Sequence, residues 1–571
     1  MSATAEINSG GDDADTGTVI PRPLILVRGF GGVDVDDERR NAYQGFNEGT
    51  VYPGRRGQNF IYEGFVLRAL KSPRYQYTDA TNVVGYYSKP IDAPSADIDL
   101  GGFAGGDVGG DTVVIDPSTA KIVLANGLAG TIWVYRYYDL DPRSLANYGR
   151  GLARLIYLIE AAAGVHKLPF QGVDVVAHSM GGLVVRDALH QMDAAEKKSA
   201  ERLVHKIVTL GTPHRGIAFQ VLPRWLVSAL PKVGKAKNEL AAFDPDGVAF
   251  NDIANVFPME RILTVVGTNY RTYNVGVSSL ANRLSSLFDE GTLATNKSDG
   301  LVKQAAAQLP GAPRTFVNKC HGGPDSLVTS REAYEISMRF LNGTHRVRLW
   351  LDEAEISRGK DWFGKSEFYF GASIKPRGLD FELFHQSAEA ENCYGPFRRV
   401  DLADGPYDLA KALTKPLSDP GDDTTWWAGP DRLIWDGWID ERDVLDPSHP
   451  DMVFRLDLYV GERDSRGFGF SDNVIFRKQY YVQAFPGSPI QVFVHTNEEL
   501  LGPRADRSVA VARTRAAGAD STDFNGVVTE SGGPSPAVQR AAASDTGWRF
   551  QVAGTGFTAT LRVGIERISQ E

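Results

Sequence analysis

Cysteine is almost missing: Cys320 and Cys393 are the only two in 571 residues. That excludes a disulfide framework, and two isolated thiols suit a reducing compartment. Long apolar runs are missing as well. No stretch of about 18 such residues occurs, so no transmembrane helix is expected. Positive charge is not in excess. Lys and Arg number 61 against 71 Asp and Glu, and the formal net charge of −10 argues against general binding of a phosphate backbone. The opening MSATAEINSGGDDADTG has neither a basic start nor an apolar centre, so it does not read as a secretory signal. Residues 1–21 are read as a mobile acidic tail. The cytoplasm is the expected location, with export that needs no N-terminal signal left open. There is no internal repeat with a period of about 20–50 residues and no cluster with metal-ligand spacing. Asp436, Asp440 and Asp443 are expected to be solvated loop carboxylates rather than a calcium site.

What is present is an ordinary globular balance, 42% hydrophobic and 23% charged. A chain this long implies at least two cores. Pro23-Leu24-Ile25-Leu26-Val27 is an apolar run closed by Arg28-Gly29-Phe30-Gly31-Gly32, as in a strand buried on both faces. A long irregular stretch is expected from Val33 to about Gly130, with a strand near Asn82–Tyr87 and a glycine-rich loop at Gly101–Gly110. Then strands at Thr131–Tyr137, Val173–Ala177, His205–Leu210, Ile262–Gly267 and Thr315–Val317 alternate with helices over Arg143–Ala162, Gly181–Met192 and Ser330–Leu341. That alternation predicts a doubly wound, mostly parallel sheet.

Beyond Asn342-Gly343-Thr344 the pattern becomes alternating and aromatic-rich, through Val347–Leu351, Glu367–Ile374, Leu433–Ile439, Val453–Val460, Phe476–Gln483 and Ile490–Val494. Turn residues separate these runs, which predicts a C-terminal antiparallel β-sandwich over 344–571. A flexible insertion is expected near 500–545, where Ala, Gly, Ser, Arg and Asp dominate. Trp548–Ala553 and Phe557–Ile565 read as a final hairpin. Trp426, Trp427, Trp435 and Trp438 are read first as core. A role in binding a lipid, a glycan or a protein partner is the alternative.

The sharpest local pattern is Val175-Val176-Ala177-His178-Ser179-Met180-Gly181-Gly182-Leu183-Val184. A serine stands between a buried strand and an apolar helix, with small residues two positions to either side. A one-residue strand-to-helix turn forces such a serine into a strained backbone, and larger flanking side chains would collide with neighbouring chain. The turn lifts the hydroxyl above the sheet edge and aims N–H groups of the helix N-terminus at one point.

With these residues in view, the chain resembles the α/β-hydrolase superfamily, especially bacterial lipases and esterases, whose elbow often reads A-H-S-M-G-G or G-H-S-M-G-G. It also resembles the glycosylphosphatidylinositol inositol-deacylase-like branch. Val27-Arg28-Gly29-Phe30-Gly31-Gly32 is similar to the family's oxyanion loop, Thr209-Leu210-Gly211-Thr212-Pro213-His214-Arg215-Gly216 to its L-G-T-P-x-x-G segment, and Ser298-Asp299-Gly300-Leu301-Val302 to the segment bearing its acid. The likeness runs over residues 22–343 and implies an α/β-hydrolase fold there. Arg28 departs from it, since a histidine is usual at that position.

The resemblance implies Ser179 as nucleophile, with the backbone N–H groups of Phe30 and Met180 as the oxyanion hole. A serine needs a histidine to take its proton and an acid to orient that histidine. In this fold the order is Ser, acid, His. Beyond residue 215, His321 alone lies in the hydrolase-like part, so it is the expected base. Asp299 is the expected acid; Asp325 is too near His321 and Asp289 is a weaker rival. His178 is expected to point away from the nucleophile, His214 to be structural, and Cys320 to be a small packed residue. A helical stripe at Val221, Leu222, Trp225, Leu226, Ala229 and Leu230 suits either a lid over an acyl pocket or a fixed cap. Cleavage of ester or lipid-like small molecules is the first functional expectation. Acyl transfer or amide cleavage by the same residues is an alternative, and an inactive hydrolase-fold scaffold is another. No cofactor is implied, because the chemistry is complete within the side chains.

Overall fold

Leu24–Val27 is short, wholly apolar and fully buried, and it forms the central strand β1. In this computed structural model the described residues are 22–29, 63–72, 75, 81–84, 114–115, 128–137, 144–165, 169–195, 199–216, 253–270, 298–322, 325–356, 366–386, 390, 394–398, 407–408, 433–443, 451–464, 473–486, 490–496, 538–554 and 557–568. Around β1 gather β2 (Thr81–Val84), β3 (Val114–Ile115), β4 (Ile132–Arg136), β5 (Val173–His178), β6 (Val204–Leu210), β7 (Ile262–Gly267) and β8 (Arg314–Val317). Their order is β3-β2-β4-β1-β5-β6-β7-β8, parallel throughout except for β3 at one edge. Leu24 pairs with Ile132 on one side and Asp174 on the other, which brings the carboxyl ends of β1 and β5 side by side. The switch in strand order beside β1 is where such sheets place their sites.

Helices cover both faces: α1 (Glu63–Lys71), α2 (Leu145–Val165), α3 (Met180–Ala195) and α4 (Arg331–Asn342). Helix α2 buries Tyr148, Leu152, Leu155, Ile156 and Ile159, a helical stripe that packs with Leu183, Val184 and Ala188 of α3. Helix α1 was not foreseen in the stretch read as irregular. Its buried residues Phe65, Val66 and Ala69 span little more than one turn, too short a pattern to stand out. Phe65 meets Tyr334 of α4 edge-on, with ring centroids 5.1 Å apart. Gly101–Gly110 and Val221–Leu230 lie outside the described residues, as do Trp426 and Trp427.

From His345 the chain is antiparallel: β9 (His345–Ile356), β10 (Ser366–Pro376), β11 (Phe384–His385), β12 (Tyr394–Arg398), β13 (Tyr407–Asp408), β14 (Leu433–Ile439), β15 (Met452–Asp464), β16 (Asn473–Phe485), β17 (Gln491–His495), β18 (Val538–Arg540), β19 (Ala542–Ser544), β20 (Gly547–Gly554) and β21 (Phe557–Arg567). One sheet runs β11-β10-β15-β16-β17-β18, with β12 also on β10. The other runs β13-β9-β21-β20-β19, with β14 also on β9. Alternate residues from both sheets, among them Val347, Leu349, Leu351, Leu456, Leu458, Val460, Leu561 and Val563, form one apolar core. The C-terminal edge of the stretch expected to be a flexible insertion is ordered. At Ala541, whose N–H donates to Val492 O at 2.9 Å, the chain passes from the first sheet to the second. Small residues such as Ala542, Ala543 and Ser544 carry little strand signal, so pairing with neighbours decides their state.

Trp435 and Trp438 are core, at 2% and 4% exposure. Of the three aspartates expected to be solvated, Asp443 is exposed, whereas Asp436 and Asp440 are buried and ion-paired. Arg346 grips Asp436 with two bonds of 2.8 and 2.6 Å, Arg442 bonds Asp440, and Arg339 approaches Asp443 at 3.0 Å. Asp436 and Asp440 are buried, and burial makes a partner obligatory. The sandwich core also takes in Val266 of β7, Phe316 of β8, and Val302 and Ala307 between them. Strands β11 and β14 lie against β8, so the exposed edge of the parallel sheet is covered.

Candidate active site

Ser179 follows β5 directly and α3 starts at the next residue. Its φ of 54° makes it the one non-glycine residue at positive φ among those described. A left-handed serine is strained and persists only when its surroundings over-determine it. Here the Ser179 N–H donates to Leu210 O at 2.9 Å, and the Ser179 carbonyl accepts from Gly182 N at 3.1 Å. The small flanking residue is required by contact. A Cβ on Gly181 would lie 2.4 Å from Arg28 O and 2.6 Å from Val27 O. A Cβ on Gly182 would strike the Thr212 side chain at 2.2 Å. The end of β1 is thus pressed against the first turn of α3.

The structure brings three of the residues singled out from sequence into one chain of hydrogen bonds. Ser179 Oγ and His321 Nε2 are 2.9 Å apart, and His321 Nδ1 and Asp299 Oδ2 are 2.8 Å apart. All three are buried; Ser179 is 7% exposed, His321 4% and Asp299 1%. A carboxylate only accepts, so Nδ1 carries the proton and the Nε2 lone pair faces the serine hydroxyl. The second oxygen of Asp299 accepts from the N–H groups of Leu301 (3.0 Å) and Val302 (2.7 Å), an Asx turn that fixes the carboxylate. The His321 N–H donates to Asp299 O at 2.8 Å, so backbone and side chain of the two residues are tied together.

Met180 opens α3, where a helix leaves N–H groups without intrahelical partners. Phe30 lies outside the described residues. The described end of its loop is well held, since Tyr137 OH donates to Arg28 O at 2.8 Å and Arg28 is fully buried. Asp325 serves the His321 loop differently from a rival acid. Its carbonyl accepts from Cys320 N and Sγ, and its carboxylate from Lys319 Nζ at 2.6 Å. Cys320 is buried and packed. Asp289 lies outside the described residues. His214 is buried, with Nε2 2.9 Å from Thr209 Oγ1 and its carbonyl accepting from Arg186. Burial first, and then the Arg186 charge, hold its imidazole well below the ordinary range.

Two glycines to which the sequence assigned no role of their own shape the surroundings of Asp299. Gly211, at φ 58°, leaves room where a Cβ would sit 2.9 Å from Asp299 Oδ2 and 3.1 Å from His321 Nδ1. A Cβ on Gly267 would sit 2.7 Å from Asp299 Cβ. The signal was a glycine ending each of two neighbouring parallel strands. His178 does turn away from the Ser179 hydroxyl, and it reaches the backbone of His321 instead: Nε2 is 2.9 Å from that carbonyl.

An elbow serine at the carboxyl edge of a parallel sheet, with this strand order, defines an α/β-hydrolase fold. The chain resembles lipases and the PGAP1 group within that superfamily: residues 130–224 match the PGAP1-like alpha/beta domain. Among solved structures it is similar to the Bacillus licheniformis lipase BlEst2 in its propeptide form, with 13% identity over 85% of this chain and 98% of the other, at a TM-score of 0.29. It is similar to the phospholipase PlaB of Legionella pneumophila, with 12% identity over 68% of this chain and 91% of the other, at 0.28. A third is the putative cell surface hydrolase of Lactobacillus plantarum, with 9% identity over 57% and 90%, at 0.25. Overlaps this loose say nothing about substrate. No curated protein sequence matches the chain. No helix among the described residues is long and apolar enough to cross a membrane.

Proposed function

We propose that this protein is a serine hydrolase that cleaves carboxylic esters, with Ser179 as nucleophile, His321 as base and Asp299 as the acid that orients it. The observation that carries the reading is the continuous relay from Ser179 Oγ to His321 Nε2 at 2.9 Å and from His321 Nδ1 to Asp299 Oδ2 at 2.8 Å. In this mechanism Ser179 Oγ attacks the ester carbonyl as its proton passes to His321 Nε2. The tetrahedral oxyanion is received by the N–H groups of Met180 and Phe30. The imidazolium, held by Asp299, returns the proton to the departing alkoxide and leaves an acyl-serine. Water then attacks with His321 again as base, and the acid is released. We assign the chemistry to residues 22–343 and the sandwich domain to residues 344–571, whose core is shared with Val302 beside Asp299.

A fluorophosphonate probe tests the assignment. We expect stoichiometric labelling at Ser179 in the wild type and none in Ser179→Ala. A properly folded wild type that stays unlabelled and turns over no member of a p-nitrophenyl ester series of graded chain length would sink it. The same series, run with and without an added alcohol or amine, shows whether the acyl group goes to water or to another acceptor.

A further inference from the structure

We propose that His178 is a positioning residue for the base: its Nε2–H donates to the carbonyl oxygen of His321 and thereby fixes the loop residue that aims the imidazole at Ser179. The inference rests on the hydrolase reading above and adds a residue to it.

The geometry is specific. His178 is the last residue of β5 and adjoins the nucleophile in the chain. It is 3% exposed, and its Nε2 lies 2.9 Å from His321 O. A carbonyl oxygen only accepts, so this nitrogen carries a proton and the ring's tautomer is set. The two imidazoles lie 4.9 Å apart between centroids, tilted by 39°. The other backbone group of His321, its N–H, donates to Asp299 O at 2.8 Å. The base is therefore held by both of its backbone polar groups, by the acid's backbone at the N–H and by the neighbour of the nucleophile at the carbonyl. Any shift of the elbow carries His178 with it, and His178 carries the His321 carbonyl. The distance between hydroxyl and base is kept by the same bond that joins their segments.

Protonation would spoil the arrangement. When His321 takes the serine's proton, a second cation one ring away would disfavour the imidazolium. Burial, and next the neighbouring His321, hold His178 well below the ordinary histidine range, so it meets that moment neutral. A core histidine kept only for its volume needs neither the bond nor the tautomer.

The full-length chain tests this with three variants. His178→Gln puts an amide N–H near the position of Nε2. His178→Leu keeps bulk without a donor. His178→Asn carries a donor one bond too short. Ester turnover, fluorophosphonate labelling rate and the downfield proton resonance of His321 Nδ1–H are measured for each. We expect His178→Leu and His178→Asn to lose about 10–100-fold in kcat and in labelling rate with KM nearly unchanged, because misplacing a reacting group by about 1 Å costs of that order. Their downfield resonance should broaden or vanish. We expect His178→Gln to recover most of the rate and the resonance. Wild-type kcat in a folded His178→Leu overturns the proposal. So does equal impairment of His178→Gln and His178→Asn, which is the contrast that decides if His178→Leu does not fold. A wild type that neither labels nor turns over ester removes the hydrolase reading instead, so the two failures are distinct.

Discussion

The two halves of this molecule treat buried polar groups in opposite ways. In the sandwich, buried charges come in closed pairs: Arg346 with Asp436, and Arg377 with Asp451, whose carboxylate also accepts from Gln483 at 2.6 Å. The first pair sits on a ladder and the second flanks the ends of β10 and β15, so strand register already fixes their position. Around Ser179 the buried groups are joined in a chain and held by backbone N–H groups, on loops at the carboxyl ends of β5, β6, β7 and β8. Glycines let the backbones there approach closely. One arrangement is closed and serves stability. The other leaves a hydroxyl and an imidazole lone pair with work still to do. Substitutions in the first region should cost folding free energy, and substitutions in the second should cost rate.

The largest expected effect lies at the proposed nucleophile. Ser179→Ala should lower kcat by at least about 10⁴-fold, read in the p-nitrophenyl assay, with an unaltered circular dichroism spectrum. Asp299→Asn should follow at about 10³–10⁴-fold. The amide oxygen can still accept from Leu301 and Val302, while its NH2 group presents the wrong partner to His321 Nδ1. Normal turnover in Asp299→Asn would mean that the acid lies elsewhere. Asp451→Ala should behave in the opposite way. It leaves the part-buried Arg377 without its carboxylate and should cost about 3 kcal/mol in unfolding free energy, with kcat per folded molecule unchanged. A loss of kcat in this variant would erase the distinction between the regions.

Ser179→Gly sharpens the comparison because it should gain stability while losing activity. Relief of the positive φ is worth about 1 kcal/mol, seen as a higher melting temperature. The smallest effect is a slope with pH. His178, His205, His214 and His345 are all held below the ordinary value, in each case chiefly by burial. Below about pH 6.5 the unfolded chain therefore binds more protons than the folded one, and stability falls as the pH drops through that window. Asp187, raised by burial to about 6, and Asp457, raised chiefly by burial, work the other way above 3.8, two groups against four. Denaturant midpoints should decline from pH 7 to pH 5, and a flat profile would show that these imidazoles are not held neutral.

Much of this was legible because the local pattern and the tertiary requirement coincide. β1, β5, β6 and β7 are apolar runs buried on both faces, and their ends fall within one or two residues of the expected places. Ser179, Asp299 and His321 could be picked out because each stands beside glycine or a strand end. Helix α1 escaped notice because one turn of apolar residues in a glycine-rich stretch carries almost no period. The pairing of Asp436 with Arg346 also escaped, because the fate of such an aspartate depends on which arginine the fold brings to it. Arg346 lies 90 residues before Asp436 in the chain. The roles of Gly211, Gly267 and His178 were hidden for the same reason: each acts on Asp299 or His321, which are remote in sequence.

Val302 belongs to both halves. Its N–H holds the Asp299 carboxylate, and its side chain is part of an apolar cluster whose members extend to Ile565, near the last described residue. One residue thus couples the anchoring of a buried carboxylate to the packing of the sandwich, so loosening that core would be felt at Asp299.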